Sequence, residues 1–402
     1  MTGSDQITSY AKKAVLVSVL GYALDSFDLL ILGLMLPWIA AGLGLSSAAS
    51  ASFVTATLCG SVLGGILFGI LSDRLGRVRV LTWTILLFAV FTGLCALAQG
   101  YWDLLFYRLV AGFGLGGEFG IGMTLVAETW PARYRARASS YVGVGWQMGA
   151  IAAAMIVPAL APVIGWRGMF AVGLVSALAS FVIRRAVPEP QLFLENRQKE
   201  SWHKSLCLLF ENPRAVRSTI ALIIMCSVQN FGYYGLMVWL PNYLSKSMGY
   251  SLTQSAAWTV VTIIGMCIGI LAFGRMADWL GRRPAFCFFQ IGSALMVIVY
   301  AQLRDPLALL VAGAVMGFFV NGMVGGYGAL MAELYPTKVR ATAQNVLFNI
   351  GRGVGGFGPL VIGFLGAHYS FATAMLLLSA IYVVDLIATV ALVPETKGVE
   401  LK

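Results

Sequence analysis

A short set of ionisable residues lies inside long apolar runs, and their types and spacing define the chemistry open to this chain. Asp25 and Asp28 occur in Tyr22-Ala-Leu-Asp-Ser-Phe-Asp-Leu-Leu, three residues apart and so near one another on one helix face. Arg108 and Glu118 share the run Arg108-Leu-Val-Ala-Gly112-Phe-Gly114-Leu-Gly116-Gly117-Glu118, and Arg352 stands in Asn349-Ile-Gly-Arg352-Gly-Val-Gly-Gly-Phe-Gly358-Pro359. An ionised side chain at mid-bilayer costs at least ~2.5–3.5 kcal/mol, so each of these needs a partner or a water-lined cavity. Two neighbouring carboxylates in a low-dielectric site cannot both ionise cheaply, which is the behaviour a proton-coupling site needs. A structural pair satisfied by neighbouring helix groups is the plainer reading. Arg352 has little around it to pack against, and the glycines with Pro359 loosen the helix as expected where backbone lines a cavity. A guanidinium fork matches a carboxylate in bidentate fashion, so Arg352 is the leading candidate to hold an anionic substrate. Its alternative is to pair with an acidic residue of another helix.

Polar and aromatic residues at matching depths extend the set. With an internal offset of 205 residues, Gln147 corresponds to Arg352 and Asn230 to Asp25. Polar groups at equivalent depths in both halves point to one central site lined from both sides. The run Gln229-Asn230-Phe-Gly-Tyr233-Tyr234-Gly-Leu-Met-Val-Trp239 adds an amide pair and three aromatics that can stack on a ring or hydrogen-bond a polar solute. Asn321 is a further candidate lining residue. Each aromatic alone is more often a packing residue. Glu118 can serve as a second proton site, a substrate contact or a structural hydrogen-bonding group, and Asp385 reads as structural.

Those residues must be positioned by membrane helices. Of 402 residues, 59% are hydrophobic and only 11% are charged, against about 25% charged in soluble domains. A helix needs about 20 mainly apolar residues to cross a bilayer. Runs that qualify are 14–40, 51–72, 79–99, 103–128, 138–161, 166–187, 218–244, 255–277, 284–303, 306–331, 343–366 and 371–393. Twelve spans place both termini on one side. With that arrangement 22 of the 27 Lys and Arg residues fall on the terminal side, only Arg167, Lys246 and Arg304 lie opposite, and the termini are expected to be cytoplasmic. The net charge of +10 therefore reflects membrane orientation, and no nucleic-acid partner is implied. The polar segment ending at Lys12-Lys13 precedes an apolar run too long for a signal-peptide core, so that run is expected to remain as the first helix. The cysteines read as small apolar packers without metal-ligand or disulfide spacing. The polar stretch 188–217 divides the spans six and six, giving bundles over 1–187 and 218–402. In it Trp202, Leu206, Leu209 and Phe210 have the spacing of an amphipathic surface helix.

Two patterns recur in one register. Gly69-Ile-Leu-Ser-Asp73-Arg-Leu-Gly76-Arg77 reappears as Gly274-Arg-Met-Ala-Asp278-Trp-Leu-Gly281-Arg282. Glu128-Thr-Trp-Pro131-Ala-Arg133-Tyr-Arg135 reappears as Glu333-Leu-Tyr-Pro336-Thr-Lys338-Val-Arg340. The halves are duplicated, and a pseudo-twofold along the membrane normal should relate them. These loop patterns, with Val187-Pro-Glu-Pro190 and Pro394-Glu-Thr-Lys-Gly398, resemble the signatures of the major facilitator superfamily across essentially the whole chain. The resemblance implies an all-α membrane protein with twelve transmembrane helices in two six-helix pseudo-symmetric halves. The charged loops then form a latch. Asp73 can accept from backbone N–H groups at a helix start, and Arg77, Glu128 and Arg135 can form a charge network that holds the cytoplasmic gate shut.

The resemblance also bears on function. Asp-x-x-Asp looks like the aromatic-acid:proton symporters, Phe27-Asp28 like the aromatic-Asp step of sugar porters, and Gly-Gly-Glu118 like the sialate and lactate symporters. In related symporters an Arg in the Arg108-x-x-x-Gly context pairs with the first-span Asp, which implies an Asp28–Arg108 pair broken by protonation. Aromatic-acid symporters carry an Arg in a context like that of Arg352. No phosphate-binding loop, metal cluster or nucleophile–base constellation is present in the sequence. The reading is a proton-coupled symporter of a small organic anion, such as an aromatic or other carboxylic acid. It works in the inner membrane, with no cofactor, as a monomer with no obligatory protein partner. Sugar or polyol symport is the alternative, and drug:proton antiport or a transporter-like sensor stand behind it.

Overall fold

In the computed structural model, which describes residues 6–175, 178, 187–195, 202–248 and 252–401, every regular element among the described residues is helical. In chain order these are α1 Ser9–Leu43, α2 Ser47–Leu75, α3 Arg77–Cys95, α4 Tyr101–Thr129, α5 Arg135–Val172, the short α6 Gln191–Glu195 and α7 Trp202–Cys207, α8 Pro213–Met248, α9 Leu252–Leu280, α10 Arg282–Gln302, α11 Pro306–Gly322, α12 Val324–Leu334, α13 Arg340–Gly355, α14 Gly358–His368 and α15 Phe371–Leu392. Among the described residues 11 stretches are long and apolar enough to cross a membrane. The longest, Ala132–Val172, holds the fifth expected span and the start of the sixth. They are parted at Gly165, whose φ of 65° is a conformation that a side chain would strain. The rest of the sixth span, at 176–177 and 179–186, lies outside the described residues. The tenth span is built from α11 and α12 and the eleventh from α13 and α14. The layout is the twelve-helix, two-half one.

Local chemistry sets the helix starts. The Thr8 hydroxyl accepts from the Ala11 N–H at 3.1 Å, and the Asp305 carboxylate accepts from the Ala308 N–H at 2.8 Å, each satisfying a donor that the first turn cannot pair. Gly76 and Gly281, 205 residues apart, both adopt φ 118° and let the chain turn sharply from α2 into α3 and from α9 into α10. Glu189 then accepts from the Val78 and Arg79 N–H groups, and Glu395 from those of Arg282 and Arg283. A Cβ on Gly76 would fall 2.4 Å from the Glu189 carboxylate, and one on Gly281 2.5 Å from that of Glu395.

Helices α4 and α13 run through the interior. From Gly114 to Ala127 every residue of α4 is buried, and so is every residue of α13 from Arg340 to Asn349. Small residues make this possible, since Gly112 and Gly116 of α4 sit against the Thr57 and Ser61 carbonyls of α2. The halves meet where α2 and α4 pack on α13, and α5 packs on α9 and α12. The terminal segments lie together on one face. The Trp130 indole N–H donates to the Ala11 carbonyl, the Tyr10 hydroxyl to that of Pro188, and the Arg135 guanidinium to that of Val399.

The described part of the linker holds the short helices α6 and α7. After α7 the chain tightens into a 3-10 turn over Leu208–Phe210, with the Thr219 hydroxyl donating to the Leu209 carbonyl at 2.7 Å. That turn buries Leu209 and leaves Phe210 exposed, so these two do not share one face. The side chain of Trp202 lies outside the described residues.

Candidate functional site

Two ion pairs occupy the middle of the bundle. The Asp28 carboxylate accepts from both terminal nitrogens of Arg108, at 2.8 and 3.3 Å, and from the Thr92 hydroxyl at 2.5 Å. The Arg108 Nε–H donates to the Thr57 hydroxyl at 3.2 Å. This pair lies within the first half, between α1 and α4, and both of its side chains are well bonded. The second pair joins the halves: Arg352 Nη2 of α13 donates to Asp25 Oδ2 of α1 at 3.1 Å. Here bonding is incomplete, since Asp25 Oδ1 and Arg352 Nε are buried without a hydrogen-bond partner. The two aspartates thus do not share one site as their spacing led us to expect. Three residues of helix turn them about 60° apart, enough for one to reach α4 and the other α13. Arg352 is also not a free guanidinium awaiting an anion; it already holds an acidic residue of another helix.

Arg352 lies on the wall of a central cavity bordered by Tyr22, Trp146, Gln229, Asn230, Tyr233, Tyr234, Asn321, Val324 and Phe348. Its guanidinium carbon is 4.9 Å from the centre of the Trp146 ring, within cation–π range. The Trp146 indole N–H donates to the Tyr233 hydroxyl at 2.8 Å, and Tyr22 packs on Trp146 with ring centres 5.2 Å apart. The second half supplies the amides: Gln229 Nε2 donates to Asn321 Oδ1 at 3.0 Å, and Asn230 to the Cys226 carbonyl at 2.9 Å. The free volume is about 20 Å³, room for about one water. This is a closed form of the cavity.

The other expected residues divide. Gln147 is buried beside the Tyr233 hydroxyl but does not border the cavity; its neighbour Trp146 does. The side chain of Trp239 lies outside the described residues. Glu118 lies against Gly21 on the terminal side of the ion pairs. Its Oε2 accepts from the Thr84 hydroxyl at 3.3 Å, while Oε1 is buried without a partner.

Between the cavity and the terminal face the halves are closed in layers. Phe119 of α4 stacks on Phe348 of α13 with ring centres 3.6 Å apart. Alongside, the Asn349 amide donates to the Gly116 carbonyl at 2.8 Å and Asn345 Oδ1 accepts from the Gly120 N–H at 3.1 Å. Beneath them lies the charged network. Asp73 accepts from the N–H groups of Ala341 and Thr342 at the start of α13, and Asp278 from those of Ala136 and Arg137 at the start of α5. Each half therefore caps a helix of the other. Gly69 lets α2 come this close, since a Cβ there would sit 3.0 Å from the Thr342 Cα. Glu128 accepts from Arg77 in its own half and from Arg340 across the boundary at 2.8 Å. Its counterpart Glu333 accepts from Arg282 and, across the boundary, from Arg135 at 2.9 Å. The expected grouping of Arg77, Glu128 and Arg135 is corrected accordingly. The pseudo-twofold exchanges the second arginine, so Arg340 completes the Glu128 cluster and Arg135 the Glu333 cluster.

Sequence reasoning missed Tyr22, Trp146 and Phe348 in the cavity wall, Asn345 and Asn349 below it, and Glu189 and Glu395 at the turns. A signal existed for the asparagines, which precede Arg352 by seven and three residues and so continue its helix face.

Comparison with known proteins bears on this architecture. Residues 18–272 and 244–401 match the family described as Major Facilitator Superfamily. A Haemophilus influenzae protein described as "Putative metabolite transport protein" is 57% identical, with 98% of this chain and 99% of that one covered. The cis,cis-muconate transport protein of Acinetobacter baylyi is 32% identical, covering 92% of this chain and 91% of its own. Among solved structures, the proton:xylose symporter XylE bound to 6-bromo-6-deoxy-D-glucose superposes with a TM-score of 0.84 at 19% identity, over 98% of both chains.

Proposed function

The chain belongs to the major facilitator superfamily, as a multi-pass membrane transporter of metabolites and not an enzyme, and from that premise we propose that it takes up a small organic carboxylate together with protons, by alternating access. The observation that carries this reading is a deep guanidinium, Arg352, on a cavity wall of flat aromatic rings. A planar carboxylic acid fits such a wall, with its charge on the guanidinium and its carbon frame against Tyr22, Trp146 and Phe348. A relative named for cis,cis-muconate, itself a planar unsaturated carboxylate, supports the same class.

The proton enters through the first half. Protonation of Asp28 releases Arg108, and Glu118, a buried carboxyl with one unbonded oxygen, offers a second proton position on the way to the terminal face. In the cycle, the cavity opens toward the face opposite the termini while the latch and the Phe119–Phe348 layer stay closed. Rocking of the halves, taken as residues 1–187 and 218–402 about the linker 188–217, then exposes it on the other side. The excess of Lys and Arg on the terminal face supports a cytoplasmic placement of that face in an inner membrane.

A second reading, sugar or polyol symport, draws on the amide cluster of Gln229, Asn230 and Asn321, which can hydrogen-bond hydroxyl groups. Uptake into proteoliposomes under an imposed proton gradient separates the two. Arg352→Ala is expected to raise the transport KM for a carboxylate at least tenfold while leaving a neutral analogue nearly unaffected. Equal effects on both solutes would reject the anion clamp.

A further inference from the structure

The two central ion pairs differ in a way that assigns them different work. Asp28 and Arg108 belong to one half and are saturated with hydrogen bonds. Asp25 and Arg352 belong to opposite halves, share a single contact, and leave a carboxylate oxygen and the guanidinium Nε buried and unbonded. Of these four residues, Arg352 borders the central cavity.

We infer that Asp25 is a built-in competitor of the substrate, occupying Arg352 in the empty carrier so that a substrate carboxylate gains the guanidinium only when a proton neutralises Asp25. This rests on the reading that Arg352 receives the carboxylate. In the exchange the Asp25 carboxylate takes up one proton, its contact with Arg352 breaks, and the substrate carboxylate forms the contact in its place. Net charge at the site is the same before and after.

That equality is what enforces coupling. A proton without substrate leaves Arg352 buried and unpaired, and substrate without a proton puts two carboxylates on one guanidinium. Either state carries an uncompensated charge through a closed bundle, which is strongly disfavoured. The surroundings of Asp25 add to the second penalty. Arg352 is the cation facing it, Glu118 of α4 and Asp28 of its own helix are acidic, and Tyr22, Tyr233 and Tyr234 contribute only phenols around the pair. The inter-half position matters as well. In the empty carrier Asp25 itself ties α1 to α13, so the unloaded protein can close and reorient without substrate.

Calorimetric titration of the full-length protein tests this, with benzoate, nicotinate and cis,cis-muconate as probes, each in two buffers of different ionisation enthalpy. Wild type should take up one proton per carboxylate engaged, and its affinity should fall about tenfold per pH unit where Asp25 is ionised in the empty carrier. Asp25→Asn should bind the same probe with that proton lost and the pH slope flattened, whereas Asp28→Asn should retain both. Binding to wild type without proton uptake overturns the inference even if Asp25→Asn fails to fold. A wild-type slope preserved in folded Asp25→Asn also overturns it while leaving the carboxylate reading intact. Probe binding unchanged in Arg352→Ala, or no binding of any probe to wild type, removes that reading and this inference with it.

Discussion

Glu128, near the end of α4, holds Arg340 of the opposite half at 2.8 Å while it binds Arg77 of its own half through both carboxylate oxygens. One buried carboxylate thus carries two guanidinium groups, and the second reaches it only while the halves are closed on the terminal face. The Arg135–Glu333–Arg282 cluster repeats the arrangement about the pseudo-twofold.

Glu128→Gln should therefore loosen one latch without disturbing the packing around it. Removing one member of a buried ion pair costs about 3–5 kcal/mol, and here part of that cost falls only on the closed state. The expected result is a population open toward the termini. It is read as faster alkylation, from that face, of a cysteine introduced by Asn345→Cys. Labelling at the parent rate in the Glu128→Gln background would mean that Glu128 only orients its own helix.

The proton role proposed for Asp28 is separable from solute binding. Asp28→Asn keeps the side-chain shape and a hydrogen-bonding oxygen for Arg108 but cannot change charge. Proton-driven accumulation should fall to what the Asp25 proton alone can drive, while exchange of labelled for unlabelled solute across equal pH persists. Undiminished accumulation against a gradient would exclude Asp28 from the coupling step.

What was legible beforehand follows from the range of each interaction. Asp28 and Arg108 stand out because a charge inside an apolar run demands a partner, but their pairing follows from the family resemblance alone, since the small residues beside Arg108 admit α2 and Asp28 lies on α1. Arg352 stood out for the same reason, but its engagement with Asp25 depends on how the halves face each other, which spacing along either helix does not contain. The partner of Arg135 is hidden in the sequence for a related reason. A duplication reveals equivalent positions, while a twofold axis brings one copy of a motif against the second copy of another. Glu189 and Glu395 were visible only as parts of short Pro-Glu motifs, since their partners are backbone N–H groups more than a hundred residues away.

Gly76 and Gly281 carry a prediction about stability alone. Both hold φ 118° and press on the capping carboxylates of Glu189 and Glu395. Alanine at either position is strained in its backbone and displaces the carboxylate that satisfies the next helix start. A loss of about 1–3 kcal/mol is expected for each substitution. It should appear as a lower Tm in detergent, with Glu189→Gln producing a smaller drop. An unchanged Tm for both alanine variants would show that the turns relax without cost.

Asp385 provides the contrast to the central carboxylates. It is fully buried on α15, away from the central cavity, on the same helix face as Tyr382 and Thr389, and Gln290 of α10 donates to the Thr389 hydroxyl at 2.7 Å. Neither of its oxygens has a well-formed hydrogen bond, so a neutral side chain of the same shape meets no lost partner. Asp385→Asn is expected to retain at least half of wild-type accumulation and an unaltered proton dependence, whereas Asp385→Lys, which buries a cation among phenols and amides, should prevent stable expression. Loss of coupling in Asp385→Asn with normal expression and binding would move this residue from scaffold to proton pathway, and would require the second half to carry a titrating group of its own.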